Sequence, residues 1–344
     1  MGSDGEAADV GMDLGAGSDT AKDPGDPGIG VGTWSWGNRF LWGYEPETHD
    51  PTLRATFERA VALGLRFFDT ADSYGTGRLA GRSERLLGAF AAALPQQQRQ
   101  ELLLATKLAP YPWRLGRGGF DHPLAASRQR LGGQIDRVQL HWSTARYAPW
   151  QEGPLLDGLA RLVSSGGAGS LGLSNFGPQR LRWAHERLQR QGVRLLSLQV
   201  QLSLLAPAPI LPGGVVEVCR ELGIQLIAYS PFALGLLTEG PATERALPKG
   251  PRGLLFRRLR PRIQPLLEEI ERLAGRHQAS AAQVALNWCR SHGAMPIPGL
   301  RTPAQVEDVA AARRWRLSAE DRERLDGVAF ALGASMPANP FTST

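Results

Sequence analysis

Four residues of this chain could act together on a single oxygen atom: Asp69, Tyr74, Lys107 and His141. A phenol ordinarily gives up its proton only at about pH 10. To work as a proton donor it needs neighbours that favour its anion. A nearby ammonium group such as Lys107 would supply that charge. Asp69 would keep Lys107 charged and oriented, and His141 would hydrogen-bond a substrate oxygen and fix its direction. Each residue alone has an ordinary structural use, Asp69 as a turn or helix cap for instance. Together, at the ends of consecutive predicted strands, they make a site that stabilises a developing alkoxide and protonates it.

Such a set must be carried on one rim of a regular frame. Short apolar runs predict strands at 29–34, 66–69, 102–107, 138–141, 170–174, 196–199, 225–229 and 294–298. Amphipathic stretches predict helices at 51–63, 83–93, 123–131, 154–164, 178–190, 214–222, 265–275, 280–291, 303–312 and 318–330. Several of these begin with Pro or Ser, as helix starts prefer. Regular alternation of strands and helices implies parallel strands with right-handed crossovers. Eight such units predict a single-domain α/β fold, a (β/α)8 TIM barrel, over residues 28–344. In that fold the chemistry sits where strands end and the following loops begin. Asp69, Lys107 and His141 close predicted strands two, three and four, and Tyr74 follows Asp69 by five residues.

Composition narrows the classes further. Among 344 residues, 42% are hydrophobic, but no apolar run approaches the roughly 18 needed to span a bilayer. Residues 1–27 are rich in Gly, Asp and Ala and are predicted to be disordered. The start carries no secretory pattern, and its acidity argues against an organelle transit peptide. Two cysteines, Cys219 and Cys289, provide neither a disulfide framework nor metal spacing, so the expected compartment is the reducing cytoplasm and no metal is expected. The net charge of +6 comes largely from arginine, densest at Arg252, Arg257, Arg258, Arg260 and Arg262. Only Phe256 interleaves there, which is poor for a nucleic-acid surface. The stretch reads as a solvated loop and helix start, or as an attraction for a phosphate-bearing cofactor. Gly28-Ile29-Gly30-Val31-Gly32 looks like a phosphate turn but lacks the Rossmann spacing.

At these residues the chain resembles the aldo-keto reductase superfamily. Phe67-Phe68-Asp69-Thr70-Ala71-Asp72-Ser73-Tyr74-Gly75 resembles its signature around the catalytic Asp and Tyr. Ala105-Thr106-Lys107 and Val138-Gln139-Leu140-His141-Trp142 resemble its lysine and histidine strands. Gly172-Leu173-Ser174-Asn175-Phe176, Ile227-Ala228-Tyr229-Ser230-Pro231 and Ile297-Pro298-Gly299-Leu300-Arg301-Thr302-Pro303 follow in family order. The resemblance implies an NADPH-dependent oxidoreductase that reduces aldehydes or ketones to alcohols, with Tyr74 giving the proton. It implies that Ser174, Asn175 and Gln199 hold the nicotinamide carboxamide and that Tyr229 stacks on the ring. Ser230, Leu234 and Gly235 would lie along the pyrophosphate, and Thr33 and Asp69 near the nicotinamide ribose. Arg301 and Gln305 would meet the adenosine 2′-phosphate, so NADP(H) is expected over NAD(H).

The partner implied is a small carbonyl or alcohol, not nucleic acid or membrane. The oligomeric state stays open, with a monomer favoured. Three departures from the family stand out. Val309 follows Glu307-Asp308 where an Asn is common, the usual N-terminal hairpin is missing, and the tail after Phe330 is short, which predicts an open pocket. Trp34, Trp36, Trp42, Tyr111, Trp113 and Trp142 are candidates for an apolar mouth. Two other readings remain: a barrel that holds NADPH as a redox sensor with little turnover, and an aldolase using Lys107 as a Schiff-base former.

Overall fold

The computed structural model describes residues 26–238, 247–248 and 250–343. Eight parallel strands run in sequence order: β1 (Val31–Gly32), β2 (Phe67–Asp69), β3 (Leu103–Leu108), β4 (Arg137–Leu140), β5 (Leu171–Ser174), β6 (Leu195–Gln201), β7 (Gln225–Tyr229) and β8 (Ala294–Ile297). Helices between them pack outside, among them Pro46–Ala62, Arg82–Ala92, Asp121–Arg130, Pro149–Ser164 and Pro178–Gln189. The result is a (β/α)8 barrel, as the alternation predicts.

Side chains alternate along each strand with period two, and this sorts the sequence into two cores. Phe68, Leu104, Val138, Leu140, Leu173 and Leu198 point outward and pack under the helices. Phe67, Ala105, Ile227, Met295 and Ile297 point inward and fill the lower barrel. One step further up, the same inward positions carry Asp69, Lys107, Gln139 and Gln199. The barrel is thus apolar below and polar at its C-terminal rim.

β1 is shorter than the predicted 29–34, and its partner across the seam explains why. Gly30 N–H donates to Pro296 O (3.0 Å) and Gly32 N–H to Pro298 O (2.9 Å). The prolines have no N–H to return, and the seam is closed by a parallel bridge between Gly32 and Gly299 just beyond them. Of the three glycines that resembled a phosphate turn, Gly30 and Gly32 are there for close approach. A Cβ on Gly32 would lie 2.8 Å from Ile297 O, and one on Gly30 would lie 2.7 Å from Phe67 Cδ1.

The predicted disordered stretch 1–27 lies outside the described residues up to position 25. Asp26 is an exception: it accepts two hydrogen bonds from Arg290 Nη2 at 3.0 Å and pairs with Arg316 at 3.1 Å. A single acidic residue in a polar leader gives no periodic signal, so its anchor is invisible in sequence. The arginine-rich stretch forms the helix Pro251–Leu259 followed by a 3₁₀ turn Arg260–Arg262, where the sequence reading placed only a loop and a helix start.

Gly32→Ala is expected to lower unfolding stability by about 1–3 kcal/mol, because backbone oxygen cannot move aside cheaply. Gly275→Ala, in an exposed helical position with open space around it, should leave stability unchanged or raise it. Denaturant midpoints of the two variants check this, and equal midpoints would contradict the close-approach argument.

Candidate active site

Asp69 ends β2 inside the barrel and is 1% exposed. Its Oδ2 is ion-paired with Lys107 Nζ, and its Oδ1 accepts from Gln139 Nε2 (3.0 Å) and Gln199 Nε2 (2.9 Å). Lys107 Nζ also donates to Thr70 O at 2.9 Å. The ammonium then lies 4.9 Å from the centre of the Tyr74 ring. Tyr74 meets His141 edge to face, with ring centres 5.7 Å apart. Ser73 Oγ lies 3.4 Å from His141 Nδ1. All four residues singled out in the sequence therefore converge at one mouth.

The loop that carries Tyr74 is fixed from behind by a buried hydroxyl cluster. Ser83 Oγ lies 2.6 Å from Thr33 Oγ1 and 2.9 Å from Thr70 Oγ1, and it donates to Thr33 O at 3.0 Å. Thr33 is fully buried in this cluster, and Gly32, Trp34 and Ser35 face the cavity instead. Its hydroxyl is engaged by Asp69 O and Ser83 rather than turned to the cavity. Asp72 accepts from Ala109 N–H (3.3 Å) and pairs with Arg114. Burial pushes its carboxyl up to about 6 against the pull of Arg114.

Protonation states follow from burial. The Tyr74 phenol is pushed well above its ordinary value by desolvation and by the carboxylates of Asp69 and Asp72. The sequence reading had Lys107 favouring the phenolate; in this pocket the carboxylates and the loss of water prevail. Tyr74 thus keeps its proton in this pocket. His141 is pushed well below its ordinary value by burial and by the charges of Lys107 and Arg114, so its ring is neutral. Burial lowers Lys107, and Asp69 pulls it back toward the charged form.

The mouth opens into a cavity of about 930 Å³ that runs from Tyr74 and His141 to Arg301, Gln305 and Asp308. Ser174, Asn175, Gln199 and Tyr229 line its middle. Past Tyr229, the chain turns through positive φ at Ser230 (53°), Ala233 (47°), Leu234 (59°) and Gly235 (105°). Left-handed backbone at three non-glycine positions costs energy that a plain loop avoids, and such strain clusters at binding sites. At the far end Arg301 is half-buried and stacks over Trp42, 4.9 Å from the ring centre. Burial lowers its pKa, and among the described residues no carboxylate opposes the effect. Gln305 turns back, and its Oε1 accepts from Arg301 N–H at 2.8 Å. Arg252 covers the other flank of this end at 4.0 Å from the Trp42 ring. Val309 is buried, and Asp308 is engaged by Ser280 Oγ (2.9 Å) and Gln283 Nε2 (2.8 Å).

The aromatic candidates divide. Trp34, Trp42 and Trp142 line the cavity. Trp36 belongs to the core, with Nε1 donating to Leu300 O at 2.9 Å. Tyr111 and Trp113 stack on each other outside the lining, and Tyr111 meets Trp142 edge-on. The short tail does not leave the pocket open. Met336, Asn339 and Phe341 line it, and Phe341 stacks on Trp142 with centres 4.7 Å apart. Sequence reasoning missed this because the tail has neither period; only a polar residue and an aromatic flanking Pro340 hinted at it. Among the described residues no group of side chains could hold a metal, and no helix is long and apolar enough to cross a membrane.

The neutral state of His141 has a direct check. Its ring NMR shifts should stay constant between about pH 6 and 8, whereas a midpoint at the ordinary value of about 6.5 would contradict the burial argument.

The sequence and fold have parallels among known proteins. The family model described as "Aldo/keto reductase family" matches residues 28–329. A chloroplastic pyridoxal reductase of Arabidopsis thaliana is 45% identical over 318 residues, 91% of this chain and 86% of that protein. An uncharacterized oxidoreductase of Mycobacterium tuberculosis is 35% identical over 309 residues, 88% of each chain. Among solved structures, an aldo-keto reductase from Klebsiella pneumoniae in complex with NADPH superposes with a TM-score of 0.68 at 21% identity, covering 90% of this chain and 94% of that one.

Proposed function

Because this chain belongs to the aldo/keto reductase family of oxidoreductases, we propose that it uses NADPH to reduce an aldehyde, with Tyr74 as the proton donor. The observation that carries this reading is the buried Asp69–Lys107 pair beneath Tyr74, with a neutral His141 beside it. The cofactor supplies the hydride when bound. Tyr74 holds its proton firmly and releases it only as charge builds on the carbonyl oxygen. Lys107 then stabilises the phenolate left behind, and Asp69 keeps that ammonium in place. His141, neutral, presents a ring N–H to the same oxygen. These are general-acid and electrostatic roles of the usual kind.

The residues that line the cavity fit the cofactor. Arg301 is a half-buried cation with no carboxylate countering it among the described residues, as a 2′-phosphate would require. In this reading Gln305 orients the Arg301 segment. Ser230, Leu234 and Gly235 form the strained turn along the pyrophosphate. Ser174, Asn175 and Gln199 face the carboxamide, and Tyr229 the nicotinamide ring. Gln199 spends one amide N–H on Asp69, which leaves its oxygen and a second N–H for the cofactor.

The substrate proposed is a flat aromatic aldehyde of the pyridoxal kind. The Arabidopsis relative supports this, as do the aromatic walls Trp34, Trp142 and Phe341. Among the described residues at that end, the one cation lining the cavity is Lys107, already held by Asp69. Nothing there is matched to a phosphate. The proposed compartment is a reducing one. Both cysteines are free and buried, which suits the cytoplasm expected from sequence as well as the chloroplast named for the relative.

NADPH consumption should be seen with pyridoxal and should be at least about tenfold weaker in kcat/KM with its 5′-phosphate, the cost of leaving a charged group without a partner. Equal values would remove the substrate reading. Arg301→Ala should weaken NADPH binding by roughly tenfold or more and leave NADH binding nearly unchanged. A matching loss for both cofactors, measured by titration calorimetry, would remove the role given to Arg301.

A further inference from the structure

The tail beyond the last helix, Ala319–Ala331, crosses the mouth as a strap. Met336 is buried, and its N–H donates to Leu205 O at 2.7 Å, which pins the near end. Ser343 N–H donates to Asn175 O (3.2 Å), and Gly177 N–H donates to Ser343 Oγ (3.1 Å), which holds the far end. Between these points Asn339 turns inward. Its Nδ2 donates to Asn175 Oδ1 (3.1 Å) and to Tyr229 Oη (2.9 Å).

Asn175 has no bonding capacity left. Its Nδ2 donates to His141 O and Ser174 Oγ, each at 3.0 Å. Its Oδ1 accepts from Tyr229 Oη (2.9 Å) and from Asn339. A side-chain amide offers two donors and two lone pairs, so all four places are filled. The proposed function assigns Asn175 and Tyr229 to the nicotinamide end of the cofactor. Asparagine ends in a primary carboxamide, the same group that nicotinamide carries.

We infer that Asn339 is an internal stand-in for the nicotinamide carboxamide, so that the C-terminal strap must leave its seat on Asn175 when cofactor binds. The inference rests on the proposed function. It adds a competition between the chain's own tail and its cofactor. It also links the cofactor end to the substrate end, because the same strap places Phe341 against Trp142.

Full-length protein and Asn339→Ala are titrated with NADPH and, separately, with 2′,5′-ADP, which lacks the nicotinamide. The variant should bind NADPH about three- to tenfold more tightly, the scale of one or two net hydrogen bonds, and should bind 2′,5′-ADP as the parent does. Unchanged or weaker NADPH binding overturns the stand-in, as does an equal gain for both ligands. In the unaltered protein, NADPH should speed hydrogen exchange at the amides of Phe341 and Ser343 while Met336 stays protected. Slower exchange at Phe341 and Ser343 would mean that the strap closes on the cofactor, and would also overturn the inference. If NADPH binds neither protein, the cofactor reading itself fails and the stand-in falls with it. If NADPH binds both equally, the stand-in alone fails.

Discussion

The carboxylate of Asp69 lies inside the barrel, out of reach of water, and must be compensated there. Taking an ion of this size out of water costs several kcal/mol even after relaxation. Here the compensation comes from three other strands. Lys107 on β3 supplies the opposite charge, and Gln139 on β4 and Gln199 on β6 supply amide donors. The arrangement works only if β2, β3, β4 and β6 keep their register, since a slip of one residue turns these side chains out of the barrel. The positions of Tyr74 and His141 follow, one five residues beyond Asp69 and the other at the end of β4.

Much of this was legible in the sequence, for a physical reason. Parallel strands buried on both faces are continuous apolar runs, and the polar residue that ends each run marks the rim. Asp69, Lys107 and His141 were found that way. The ends of β1 were not, because they depend on Pro296 and Pro298 across the seam, far along the chain. Thr33 looked like a rim residue by position, yet its hydroxyl pairs with Ser83 on a helix behind the strand. Trp36 and Trp34 are two residues apart and read alike, but one is core and the other faces the cavity. The upward push of burial and of two carboxylates on Tyr74 was not legible. The sequence shows that a lysine is near, but it does not show how dry the pocket is or how close a second carboxylate lies.

The tail shows a different limit. Residues 336–343 have no helical or strand period, and their place is set by a few directed bonds to Leu205, Asn175, Gly177 and Tyr229. A short tail was expected to leave the pocket open; instead it covers the nicotinamide end of the proposed cofactor site. The family gives this chain its reaction class, and the strap is a feature of its own residues. The far end of the cavity is similar. Val309 and the engaged Asp308 offer little to a base, while Arg301, Arg252 and Trp42 form a cationic and aromatic end. In the proposed reading, recognition there rests on charge and stacking.

The central claim is that Tyr74 gives the proton, and its most direct test is the reduction rate of Tyr74→Phe at saturating NADPH, measured beside the affinity of the same variant for NADPH. The phenyl ring keeps the shape of the mouth and removes the hydroxyl alone. The account predicts a rate lower by about two to four orders of magnitude, the usual worth of a placed general acid, with NADPH affinity changed little. A variant that reduces the aldehyde within a few-fold of the parent rate would contradict it.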